Sequence, residues 1–143
     1  YTETVIFELI ARGITPVIAH PERNHGFQKE PDRLYDFVDM GCLTQLTSSS
    51  YLGVFGDSVE RLTQKFIDAR LGFVFSSDAH NFEGRRFLMK DAFNKLTNET
   101  TERKAELFNY NAKSIVNGDS ISTDSILHVS STKTKKKKKF WLF

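Results

Sequence analysis

The sequence holds few of the residues that build covalently stapled or thiolate-rich scaffolds. Its 143 residues include one cysteine, Cys42. An internal disulfide is therefore excluded, as is a zinc site built on several thiolates, and the composition suits a reducing cytoplasm. A lone free cysteine reads as a small buried apolar residue rather than as a nucleophile. Long hydrophobic runs are missing, since no stretch approaches the roughly 18 residues of a membrane span. The opening Tyr1-Thr-Glu-Thr4 lacks the basic and apolar regions of a signal peptide. It carries no methionine and already follows a helical pattern, so the natural protein is expected to start further upstream. Positive charge is scarce outside one block. The formal charge is +2, but Lys133 and Lys135 through Lys139 crowd the last residues and leave the remainder net acidic. A basic surface for nucleic acid is not expected.

What is present is an alternation. An apolar fraction of 39% with thirteen phenylalanines is sufficient for one aromatic-rich core. Val5, Ile6, Leu9 and Ile10 recur at helical spacing, and Gly13 stops that helix. Ile14 to Ala19 reads as a buried parallel strand. Asp32 is placed to cap a helix that buries Leu34, Tyr35, Phe37 and Val38 and ends at Gly41. Leu43 to Thr47 is a second strand, followed by a Ser/Gly-rich loop through Gly56. Val59 to Leu71 forms a helix closed by Gly72, Phe73 to Phe75 a third strand, and Phe87 to Leu96 and Lys104 to Val116 two further helices. Strands alternating with helices build a parallel sheet in an α/β fold. Three strands cannot close a barrel, so the sheet is expected either to be completed by upstream chain or to keep an exposed edge. The residues from about Ser120 lose periodicity and are expected to be disordered.

The chemistry concentrates just past two strand ends, where α/β folds place their sites. The first cluster is His20-Pro-Glu-Arg-Asn24. An imidazole leaving a buried strand can ligate a metal, Pro21 restricts His20 to extended geometry, and the Arg23 fork suits phosphate oxygens. Taken alone, a structural histidine beside a surface ion pair explains this cluster equally well. The second cluster is Ser76-Ser-Asp-Ala-His80. Asp78 and His80, two apart, face one side of an extended segment and supply two ligands of an open metal site. Arg85 could add a second guanidinium, whereas Arg86 reads as a solvated helix start. The end, Lys135 to Lys139 followed by Phe140-Trp-Leu-Phe143, joins basic residues to interfacial aromatics. It would permit weak contact with an anionic membrane surface, although blocks of like charge are more often solvated.

These stretches resemble the C-terminal part of PHP-domain (polymerase and histidinol phosphatase) proteins, nearest to the tyrosine-protein phosphatases of Gram-positive capsule and exopolysaccharide clusters. The resemblance runs through Phe7 to Asn24, Gln45 to Ser50, Gly53-Val-Phe-Gly56, Phe75 to Asn81, Arg85, and Asn111-Ala with Asn117-Gly118. It implies part of a distorted β/α barrel over residues 1–121, with 122–143 as a disordered lysine-rich tail. It also implies His20, Asp78 and His80 as metal ligands, Arg23 and Arg85 as catalytic phosphate-binding arginines, and divalent ions, expected to be manganese. The expected substrate is a phosphotyrosine protein, with a capsule-cluster tyrosine kinase as the candidate. Departures accompany the resemblance: the family's H-x-H motif and its upstream His and Glu ligands have no counterpart, and His25 and His128 match no family ligand and read as surface residues. The alternatives are a small-molecule phosphoesterase, such as one acting on histidinol phosphate, and a non-catalytic remnant with a membrane-surface tail.

Overall fold

The helical repeat at the start of the chain forms α1, Thr2–Ala11, and Gly13 ends it with a φ of 74° that a side chain would disfavour. The computed structural model describes residues 1–83 and 86–132. Arg85 and the lysine-rich end from Lys133 lie outside the described residues, and so do the membrane contact and residues 133–143 of the tail expected to be disordered. After α1 come β1 (Val17–Ala19), a 3-10 turn (Pro21–Arg23), α2 (His25–Lys29) and α3 (Arg33–Asp39). Then follow β2 (Leu43–Thr47), α4 (Ser48–Tyr51), α5 (Asp57–Asp68), β3 (Val74–Ser76), α6 (Met89–Glu99) and α7 (Glu102–Asn117). The strands make one parallel sheet in the order β1-β2-β3. Val17 pairs with Leu43, and Thr47 pairs with Ser76. The expected α/β architecture of three parallel strands alternating with helices is present.

Burial explains the order of the sheet. Central β2 is covered on both faces, with Leu43, Thr44, Leu46 and Thr47 all buried. Thr44 meets the cost of burying a hydroxyl by donating to the Leu71 carbonyl. Phe66 and Ile67 of α5, Leu34 of α3 and Phe108 of α7 close over the sheet. Phe75 lies against Tyr51, Phe93 and Phe108 at centroid separations of 5.4, 5.6 and 4.9 Å. Aromatic contacts of this kind contribute about 0.5–1.5 kcal/mol each beyond the area they bury. Asn111 ties α7 to the sheet by donating from Nδ2 to the Phe73 carbonyl at 3.0 Å. On the opposite side β1 is an edge strand among the described residues, with Val17 39% and nearby Phe7 of α1 67% exposed.

Local expectations fail where tertiary contacts override sequence signals. Asp32 sits at the N-cap of α3 without capping it, and its carboxylate instead accepts from the Ser130 amide at 3.2 Å. Gly72 does not close α5, because Arg70 takes the left-handed turn with φ 59°. A β-carbon on Gly72 would collide with Leu46 Cδ1 inside the buried core. Gly72→Ala is therefore expected to cost about 1–3 kcal/mol of stability by overpacking, read as a lowered urea midpoint at unchanged slope. The segment 119–132, where composition predicts disorder, is mostly exposed but touches the core at a few points. Its polar sequence hides Ile121, Ile126 and Val129, which reach the main core, and Leu127 donates its amide to the Ala69 carbonyl at 2.9 Å.

Candidate functional site

Both chemical clusters lie at the C-terminal edge of the sheet, following β1 and β3. The first is a turn held from beneath. The His20 amide extends the ladder by donating to the Gln45 carbonyl at 2.8 Å. His20 then turns into left-handed geometry, φ 39° and ψ 53°, rather than the extended geometry expected before a proline. The reversal is required because the 3-10 turn starts at once, with Pro21 at a position where its missing N–H costs nothing. Asn24 ends that turn and caps α2, its Oδ1 accepting from the Gly26 and Phe27 amides.

Glu22, inside this turn, is fully buried. One carboxylate oxygen accepts from the Thr47 amide at 3.0 Å, and the Glu22 carbonyl accepts from Gln28 Nε2 at 3.0 Å. The turn after β1 is thereby fastened to the end of β2. Burial raises the Glu22 pKa, and the neighbouring Ser50 and Thr47 groups oppose that rise. The Ser50 hydroxyl does so without reaching hydrogen-bonding geometry, since Glu22 Oε2 and Ser50 Oγ are both left without a partner. A glutamate in a turn ordinarily signals exposure, so nothing in the sequence marks this anchor except its place inside the motif.

The two clusters meet through one ion pair. Arg23 Nη1 lies 2.5 Å from Asp78 Oδ2, across 55 residues of chain. The Asp78 side chain is 17% exposed, and charge-assisted bonds in such partly dry places are among the stronger ones. Phe55 covers the other side of the guanidinium, whose Cζ stands 4.5 Å from the ring centroid. Two glycines with positive φ, Gly53 at 80° and Gly56 at 91°, bracket the loop that presents Phe55. Asp78 also turns left-handed, at φ 45°. Asp78 and His80 therefore meet through a bend rather than along an extended strand. His80 Nδ1 is 2.7 Å from the Asp78 carbonyl oxygen and 3.8 Å from its carboxylate. His25 and His128 are exposed, and His128 stacks on Tyr35 at 3.9 Å.

Asp78, His80 and His20 are donors of the right type for a divalent cation. In number they fall short: among the described residues no three His, Cys, Asp or Glu side chains are grouped to hold one ion, and Asp78 already engages Arg23. Cys42 is buried, and burial pushes its thiol up to about 11. It is no nucleophile at neutral pH. No helix among the described residues is long and apolar enough to cross a membrane.

Comparison with known proteins places the fold in a family. CapC of Staphylococcus aureus is 36% identical over 122 residues, covering 85% of this chain and 48% of the relative. The tyrosine-protein phosphatase YwqE of Bacillus subtilis is 33% identical over 121 residues, again 85% of this chain and 48% of the relative. A chain from the crystal structures of YwqE from B. subtilis and CpsB from Streptococcus pneumoniae, described as metal-dependent tyrosine phosphatases, superposes with a TM-score of 0.86 at 31% identity. That superposition covers 90% of this chain and 52% of the solved one, so the chain spans about half the length of the relatives it matches. The family described as "Capsular polysaccharide synthesis, CpsB/CapC" matches residues 1–117, and the chain belongs to that family.

Proposed function

We propose that the edge formed by His20, Arg23, Asp78 and His80 is part of a metal-dependent site that hydrolyses phosphotyrosine on proteins. The Arg23–Asp78 contact carries this reading. It joins a guanidinium fork suited to phosphate and a carboxylate suited to metal, supplied by two separate strand ends. In this reading Arg23 leaves Asp78 for the phosphoryl oxygens of the substrate and offsets charge that develops there. Arg85 is proposed as a second such guanidinium. His20, Asp78 and His80 contribute donors to a divalent centre, proposed to hold manganese, that other side chains complete. When bound, such a metal would supply Lewis-acid polarisation and an acidified water. The named activities of YwqE and CpsB support phosphotyrosine as the substrate. A tyrosine kinase of a capsule cluster is the proposed protein partner, and the cytoplasm the proposed compartment.

The test is release of phosphate from a phosphotyrosine peptide with added manganese, by this chain alone and by a protein that also contains the other half found in the relatives. The longer protein is expected to turn over, and this chain alone to do so poorly, because its described donors are too few. Equal turnover by the two would overturn the assignment of an incomplete metal centre. Faster hydrolysis of histidinol phosphate than of the peptide would overturn the substrate. A narrower prediction concerns Phe55. Phe55→Leu removes a stacking contact of about 1 kcal/mol and is expected to lower kcat/KM of the longer protein about three- to tenfold. Phe55→Trp should restore it, because the indole face also accepts a guanidinium.

A further inference from the structure

The other end of the sheet carries a second concentration of chemistry. Gly72 and Phe73 lead into β3 there, whereas Asp78 follows its far end. A cleft of about 680 Å³ opens between Phe73, the start of α7 and the segment 120–124. That volume lies within the roughly 300–1,000 Å³ of small-molecule sites. Three cations line it, Arg70, Arg103 and Lys104, against one acid, Asp124.

None of the three cations forms an ion pair among the described residues, and Arg70 only donates to the Ser125 carbonyl at 3.3 Å. Asp124 is engaged with the Ser122 hydroxyl at 2.7 Å. Lys104 is half-buried, and its pKa is lowered first by that burial and then by the Arg70 charge, with Asp68 opposing. Lys104 and the exposed Arg70 are thus close enough for their charges to oppose each other, a repulsion that a bound anion would relieve. The sixteen-residue α7 points its N-terminus into the same space, with Thr101 capping the Lys104 amide, and its dipole favours negative charge there. Leu107 and Tyr110 add an apolar wall beside the cations.

We infer that this cleft is a second anion site, separate from the Arg23 edge, for a small phosphorylated molecule bearing at least two negative charges. The cations and the α7 N-terminus receive the phosphate groups, and the Leu107–Tyr110 wall receives the carbon part.

The experiment titrates this chain with inorganic pyrophosphate at constant ionic strength, with sodium chloride as the reference, and follows backbone amide NMR shifts. Saturable shifts at Thr101 through Lys104 and at Arg70 are expected, and Arg103→Glu combined with Lys104→Gln should weaken binding at least tenfold. Arg70→Gln, which leaves α7 untouched, should weaken it severalfold and guards against misfolding of the double variant. Arg23→Ala should leave these shifts in place. Equal shifts with chloride, loss of the shifts in Arg23→Ala, or undiminished affinity in well-folded cleft variants would each overturn the inference.

Discussion

Arg23→Ala is expected to lower kcat about 10²–10³-fold, in a protein that joins this chain to the other half found in the relatives. The magnitude is that of removing one preorganised donor aimed at developing charge, about 2.7–4 kcal/mol. The structure suggests why the loss should be that large. The guanidinium lies over the Phe55 ring, which keeps the fork in place when it exchanges the Asp78 carboxylate for the phosphoryl oxygens. Arg23→Lys keeps the charge but loses the planar fork and should recover only part of the rate. Steady-state kinetics on a phosphotyrosine peptide, with manganese saturating, makes the check. The same protein with Arg85→Lys tests the second proposed fork. Unchanged kcat in both Lys variants would remove the two arginines from the mechanism.

Glu22→Ala should destabilise the fold by about 2–4 kcal/mol. It leaves the buried Thr47 amide without its acceptor, at about 1–3 kcal/mol, and adds a cavity beneath the turn. Glu22→Gln keeps an oxygen for Thr47 and should behave differently. The Glu22 pKa is raised by burial, so in the folded state the proton is retained above the pH at which an unfolded glutamate loses it. The stability contributed by the protonated form is complete below the ordinary carboxyl pKa and falls as pH rises through the folded one. The wild-type chain should lose stability across that window, while Glu22→Gln should lack this part of the slope. Urea unfolding at several pH values measures both effects. Parallel pH profiles for the wild-type and Gln chains would show that Glu22 does not titrate in this way.

The parts of the fold legible in the sequence are those whose stability is local or periodic. β2 is readable because Leu43 to Thr47 is a short stretch of leucine and β-branched threonine between a glycine and a serine cluster, and α5 because its apolar residues repeat at helical spacing. The four residues of α4, Ser48-Ser-Ser-Tyr51, have low helix propensity and read as loop. They are helical because all four are buried between the sheet and α5, which composition cannot report. At the candidate site the residue types were readable from the two motifs, since His20, Arg23, Asp78 and His80 follow recognisable strands. Their mutual arrangement was not, because the Arg23–Asp78 contact spans 55 residues and depends on two left-handed turns. Glu22 and Phe55 were passed over for a related reason. Their importance comes from what they touch in space, Thr47 and Arg23, and not from a pattern along the chain.

The backbone at His20 and Asp78 sets two kinds of selection against each other. Both residues occupy positive φ, 39° and 45°, where glycine is unstrained and where asparagine, aspartate and histidine are the commonest of the side chains that occur at all. Strain of that kind costs about 1–3 kcal/mol at a non-glycine residue. A library of this chain sorted only for heat resistance should therefore drift toward glycine at positions 20 and 78. Sorting a protein that also contains the other half found in the relatives for phosphate release should keep the imidazole and the carboxylate. Engineering that favours the backbone's preferred residues at these two corners would produce a sturdier protein with its candidate chemistry erased.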